Sequence, residues 1–170
     1  MPAAQNEKLY ALQDRVVATL QSMHDPQLSL AKLCGGTALS RCWLGHRMSW
    51  DLDFFLSQGF SASKLAMALK KAGIDYETRD IVDNPYKANQ LHGYVIDNGQ
   101  RLKVSFVEDA YFKIFPVAMA KLGKTKVRTE PVEGLYHRKL RTVSGHAAAG
   151  DSFDGGRQTA RDVLDRKSVV

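Results

Sequence analysis

Two aspartates separated by one apolar residue, Asp51 and Asp53 in Trp50-Asp51-Leu52-Asp53-Phe54-Phe55, follow a glycine pair in Cys34-Gly35-Gly36-Thr37-Ala38-Leu39. Side chains alternate with period two along a strand, so both carboxylates are expected on one face, with Leu52 and Phe54 on the other. Neighbouring carboxylates repel unless a cation lies between them, and a divalent ion is the usual solution. Magnesium takes oxygen ligands, typically one or two carboxylates plus substrate phosphates. Two such ions can serve an in-line phosphoryl displacement, at the attacking and the leaving oxygen. Gly35 and Gly36 would let backbone approach a phosphate, and a helix beginning there would direct N–H groups and its positive end at the anion. Together these residues describe a site for a nucleoside triphosphate and its metals.

Each fragment also has a plainer explanation. A double glycine fits an ordinary turn, and Asp-x-Asp fits a solvated strand face. Their proximity, with Arg47 and Ser49 directly ahead of the carboxylates, favours the phosphate site. The Arg47 guanidinium suits a phosphate, or it neutralises Asp51 and Asp53. His46 fits a structural role in the loop, and His24, His92, His137 and His146 show no ligand spacing.

The stretch from Gly35-Gly36-Thr37-Ala38-Leu39 through Leu44-Gly45-His46-Arg47-Met48-Ser49-Trp50-Asp51-Leu52-Asp53-Phe54-Phe55 resembles the signature of the AbiEii/AbiGii toxin family of nucleotidyltransferases, within the DNA polymerase β-like superfamily. Leu135-Tyr136-His137-Arg138-Lys139 and Arg161-Asp162-Val163-Leu164-Asp165 resemble its downstream motifs, so the likeness spans roughly residues 30–166. It implies an α/β (α+β) nucleotidyltransferase fold: a mixed twisted sheet flanked by helices, with a short helical C-terminal part. It implies catalytic roles for Asp51, Asp53, Lys139 and Asp162, with Asp51 and Asp53 as metal ligands. Gly35, Gly36, Thr37, Arg47, Ser49 and Lys139 would form the nucleotide site, the Thr37 hydroxyl donating to a phosphate oxygen. Mg²⁺ or Mn²⁺ is the implied cofactor and an NTP the donor substrate. RNA, tRNA included, is the implied acceptor, and the implied role is that of a toxin in a bacterial toxin–antitoxin or phage-defence system, with an antitoxin protein as partner.

Two features depart from that pattern. Many superfamily members carry a third carboxylate on a later strand as base for the acceptor hydroxyl; Ser105 stands there in Leu102-Lys103-Val104-Ser105-Phe106, leaving Glu108, Asp109, Asp162 or a metal-bound hydroxide as alternatives. The residues after Asp165 are also fewer than the helical C-terminal region such toxins commonly carry. A catalytically inactive module of the same fold, binding nucleic acid or a protein, is therefore the alternative function. Transfer to a protein or small-molecule hydroxyl is a third.

At 170 residues, 44% hydrophobic and 25% charged, the chain fits a single domain, with a core over about 30–110 and a helical part over about 130–170. No run approaches the roughly 18 apolar residues of a membrane span, and no signal-peptide pattern opens the chain, so the cytoplasm is the expected compartment. Cys34 and Cys42 lack metal spacing and fit buried thiols. A net charge of +6 favours a polyanionic partner. Lys121, Lys124, Lys126, Arg128, Arg138, Lys139 and Arg141 concentrate it, and they suit an RNA backbone, a triphosphate or a solvated basic face alike.

The elements that must position these residues follow from periodicity. Leu9, Leu12, Val16, Val17 and Leu20 predict an amphipathic opening helix over Asn6 to Met23, ended at Asp25-Pro26. A helix from Gly36-Thr37 to Gly45 is expected to turn Leu39, Cys42 and Trp43 inward. Trp50 to Leu56 predicts a strand, Ser61 a helix N-cap, and Ile74 to Val82 a strand. Asn98-Gly99 predicts a hairpin between Leu91–Ile96 and Arg101–Val107. Tyr111 to Thr129 predicts a short helix or irregular connection, then a short strand near Lys126–Arg128. Glu130-Pro131 opens a helix to about Val143, with Leu135, Leu140 and Val143 inward. A flexible connection over Ser144–Gly156 and a last helix near Arg157–Lys167 complete the expectation.

Overall fold

The computed structural model describes residues 3–45 and 47–144, with side chains described over 6–45 and 47–141. A five-stranded sheet has the order β1-β2-β5-β4-β3, from Lys32–Cys34, Leu52–Leu56, Tyr76–Val82, Gln90–Asp97 and Gln100–Glu108 in chain order. The β2–β5 pair is parallel; β1–β2, β5–β4 and β4–β3 are antiparallel. Helix α1 spans Ala3–Ser22, α3 spans Ala62–Lys71 and α4 spans Val132–Ser144. Between β1 and β2, a helical turn over Gly35–Thr37 (α2) continues as a π-helix over Ala38–Leu44. Strands β6 (Ala118–Leu122) and β7 (Thr125–Thr129) form a separate hairpin.

Alternation divides the sheet into two faces. Leu52, Phe54 and Leu56 of β2, Leu102, Val104 and Phe106 of β5, and Leu91 and Val95 of β4 are buried with Leu12, Val16, Val17 and Leu20 of α1 and Leu65 and Leu69 of α3. At about 1.5–3 kcal/mol for each large apolar side chain buried, this face dominates the stability of the fold. The opposite face carries Asp53, Lys103, Ser105 and His92.

Several expectations hold with physical reasons visible. Asn98 and Gly99 both have positive φ, +49° and +74°, as a two-residue hairpin turn requires. The Ser61 hydroxyl caps α3 by accepting from Lys64 N at 3.3 Å. The Gly45 end of the second helix is left-handed, at φ +61°.

Others need correction. Trp43 is 38% exposed: the wider π-helical winding shifts the phase of the later residues, and Leu44 packs against the core beside Cys42. Cys42 is accordingly only half-buried, while Cys34 is fully buried. Leu140 is 47% exposed, because five residues after buried Leu135 it has turned about 140° away. Strand β2 begins at Leu52, so Trp50 and Asp51 precede it. Strands β1 and β6 add to the elements that periodicity predicts. β6 does alternate, with Ala120 and Leu122 buried and Met119 and Lys121 exposed, but Pro116 just ahead obscures the pattern. The Val143 side chain, the 145–156 connection and the helix expected near 157–167 lie outside the described residues.

Candidate functional site

The glycine pair and the carboxylates meet through the β1–β2 pairing, in which Cys34 and Asp53 are direct partners. Gly35 leaves β1 with φ +68°, and a Cβ there would lie 2.5 Å from Asp53 Oδ2. Only glycine permits both that backbone and that closeness. Gly36 is needed for space as well: a Cβ would lie 2.9 Å from Ser49 Oγ and 3.0 Å from Arg47 Nη2. The room beside the two glycines is thus taken by Asp53, Ser49 and Arg47.

Asp51 and Asp53 share one face although Asp51 precedes the strand. Asp53 is the register partner of Ser105, and Asp51 Oδ2 lies 3.9 Å from Nζ of Lys103, which by alternation projects with Ser105. Both Lys103 and Asp51 are about two-fifths exposed, so this ion pair is worth no more than about 1 kcal/mol and yields readily to a stronger cation. Two carboxylates facing one way, one cradled against a glycine backbone, form a hard oxygen donor set that fits Mg²⁺ or Mn²⁺. Among the described residues no group of three or more His, Cys, Asp or Glu is arranged as a metal site, so phosphate and water oxygens would complete the coordination.

Thr37 is fully buried and its hydroxyl donates to the Asp51 carbonyl. Its side chain therefore fixes the start of the carboxylate segment. The same segment is held from outside. Gln13 Nε2 donates to Ser49 O at 2.9 Å, Arg41 Nη1 donates to Gln13 Oε1 at 2.8 Å, and Arg41 also pairs with Asp14 at 2.8 Å and stacks 4.0 Å over Tyr10. Arg47 Nη1 donates to Met48 O at 2.8 Å. Gln13 and Arg41 carry no motif, and their role emerges only from α1 crossing this loop.

Helix α4 packs against α2 and the π-helix. Half-buried Lys139 lies four residues after buried Leu135, hence on the same helix face. Asp162 lies outside the described residues. The basic cluster divides: Lys121, Lys124 and Lys126 are exposed on the β6–β7 hairpin, whereas Arg138 belongs to an internal charge network. Lys32 and Glu130 are both fully buried and 2.6 Å apart, and Lys32 also donates to Phe112 O at 2.5 Å. Arg138 reaches Glu130 through Nε at 2.6 Å and Nη2 at 2.7 Å, and Asp109 through Nη2 at 2.5 Å. The pairing spans 98 positions between Lys32 and Glu130, and no local pattern announces it.

The network also decides among the acids near Ser105. Asp109 is held by Arg138 and by Tyr111 N, and Glu108 accepts from Gly59 N at 3.0 Å and Asn89 N at 2.8 Å. Neither carboxylate turns toward Asp53 as a third acid.

A mixed sheet that sets a glycine-paired turn against a carboxylate pair at the start of the next strand is the nucleotidyltransferase type of fold. The chain belongs to the AbiEii family: the family model for "Nucleotidyl transferase AbiEii toxin, Type IV TA system" matches residues 20–166. Among solved structures, the chain is similar to JHP933 from Helicobacter pylori, at 19% identity and a TM-score of 0.58, with 97% of this chain and 66% of that one covered. A second H. pylori structure, described as a candidate nucleotidyltransferase, matches at 20% identity and a TM-score of 0.55, with 96% and 65% covered. The chain thus spans just under two thirds of the length of these two structures, and the likeness is one of fold. No curated protein matches the sequence.

Proposed function

We propose that this chain is a metal-dependent nucleotidyltransferase that moves a nucleoside monophosphate from an NTP to a hydroxyl of RNA, as the toxin of a toxin–antitoxin pair in the cytoplasm. The observation that carries the proposal is the seating of Asp53 against Gly35, with Asp51 projecting from the same face. Bound Mg²⁺ would neutralise the phosphates and the charge that develops at transfer. The chain's own residues do the rest. Asp51 and Asp53 hold the metal, Thr37 and Gln13 fix the segment carrying them, and Arg47 with Lys139 offers cations to the triphosphate. Positioning and electrostatics of this kind supply most of the catalysis of phosphoryl transfer. The exposed lysines of the β6–β7 hairpin favour a polyanionic acceptor.

The test is incubation of the protein with Mg²⁺, each α-labelled NTP in turn and total RNA, with Asp53→Ala in parallel. Label on RNA with the wild type and none with the variant supports the proposal. Ser105 beside Asp53, where an acid would assist transfer, favours a second function, a binding module that turns nothing over. Mg²⁺-dependent NTP binding without transfer to RNA, protein or small alcohols would select it.

A further inference from the structure

One row crosses the whole sheet: Cys34, Asp53, Ser105, His92 and Asp80 are successive register partners from β1 to β3. Directly paired residues project to the same face. His92 therefore stands on the carboxylate face, one strand beyond Ser105 and two beyond Asp53. With strands about 4.8 Å apart, its backbone lies roughly 10 Å from that of Asp53. Ser105, which stands in the space between them, is buried and has a short side chain.

That space needs a proton acceptor, because an acceptor hydroxyl becomes a phosphoester oxygen only by losing its proton. Among the described residues the nearby acids are otherwise engaged or farther out: Glu108 is held by two backbone N–H groups and Asp109 and Glu130 by Arg138, while Asp80 stands one strand beyond His92, on the edge strand β3. Lys103 is a cation paired with Asp51. His92 is half-buried, and its Nε2 lies 2.8 Å from Gln90 Oε1. An amide oxygen only accepts, so Nε2 carries the hydrogen and Nδ1 keeps the lone pair. Burial lowers the pKa of His92, Asp80 on β3 raises it and Lys103 on β5 lowers it, with a net value below the ordinary one. The ring is thus neutral near pH 7.

We propose that His92 is the base that takes the proton of the acceptor hydroxyl, across Ser105. This rests on the nucleotidyl transfer proposed above. The hydroxyl O–H bond breaks with its proton passing to His92 Nδ1, the oxygen bonds the α-phosphorus, and the bond from that phosphorus to the bridging oxygen breaks as pyrophosphate leaves.

The experiment measures single-turnover transfer with Mg²⁺, saturating NTP and RNA from pH 5 to 9, and NTP affinity separately by calorimetry. His92→Ala is expected to transfer about 100-fold or more slowly, the low end of general-base effects, with NTP affinity unchanged within about twofold. The fall in rate toward acid pH should vanish with the imidazole. Adding Ser105→Asp to His92→Ala puts a carboxylate in register with Asp53 and should recover at least about tenfold, with the acid limb moved to lower pH. A His92→Ala rate within about threefold of wild type with the acid limb intact overturns the inference alone, as does a loss that merely follows NTP affinity. A wild type that transfers nothing overturns the nucleotidyl-transfer reading, and this inference with it.

Discussion

Replacing Glu130 by Gln tests whether the charge network is as dry as its geometry states. Glu130 receives three hydrogen bonds, one from Lys32 and two from Arg138, and neither it nor Lys32 exposes any side-chain surface. Arg138 would keep Asp109, but Lys32 would be left with a neutral amide and the Phe112 carbonyl. Stranding a buried charge costs about 3–5 kcal/mol, a large part of the 5–15 kcal/mol typical of a domain. For a chain of this size each kcal/mol moves Tm by about 2–4 °C, so a fall of roughly 10 °C is expected. Adding Lys32→Met removes the stranded charge and should return at least about 2 kcal/mol, measured as the coupling in a double-mutant cycle by denaturant unfolding. Burial alone would raise the Glu130 pKa, but hydrogen bonds and charge from Arg138 and Lys32 outweigh it and hold it below its ordinary value of 4.5. The stability it confers is therefore full above about pH 4.5 and is lost as pH falls through the depressed folded-state value. A Glu130→Gln loss under about 1 kcal/mol at pH 7, or a cycle with no coupling, would refute a solvent-excluded network.

Gly35→Ala forces an alanine to φ +68° and drives a methyl into Asp53 Oδ2, so transfer to RNA should fall about 100-fold while the protein stays folded by circular dichroism. Retained activity would mean that Asp53 need not sit there. Thr37→Val keeps the volume but removes the hydroxyl bond to the Asp51 carbonyl, and unfolding should show a loss of about 1–3 kcal/mol. A neutral result would place that carbonyl on another donor. Burial pushes the Cys34 thiol far above its ordinary pKa and the Cys42 thiol up to about 11, despite the opposing pull of Arg41 on Cys42. Iodoacetamide at pH 8 should spare both in the native protein and label both after denaturation, by intact mass. Native labelling of Cys34 would contradict its burial.

What the sequence discloses of this molecule is what depends on local geometry. The face shared by Asp51 and Asp53 is the one that period-two alternation predicts, although Asp51 lies just ahead of β2, and the Asn98-Gly99 pair announces the turn whose positive φ values it adopts. The purpose of the glycines is legible only in part. Their pairing signals a close approach, but that Asp53, Ser49 and Arg47 make it depends on how β1 pairs with β2. Strand β1 is three residues long, too short for a periodic signal, and it opens on a lysine that any composition-based reading would put in solvent. The burial of Lys32, Glu130 and Arg138 is a property of partners distant in sequence. His92 has no ligand spacing in the chain and acquires a role only through its register with Ser105.

The same network bears on how Lys139, proposed above as a cation for the triphosphate, is held in place. Arg138 ties α4 to Asp109 just past β5 and to Glu130 just ahead of the helix, and Glu130 is anchored by Lys32 of β1, two residues before Cys34. Asp109 and Glu130 meet on one guanidinium, whose planar fork fixes orientation as well as distance, and Lys32 joins them through Glu130. Lys139 is the next residue, and the helix that presents it packs on the turn bearing Gly35 and Gly36. Buried ion pairs contribute little net stability compared with apolar packing. Their effect here is one of position: they fix a helix whose rotation would move Lys139 by about 100° for every residue of slip.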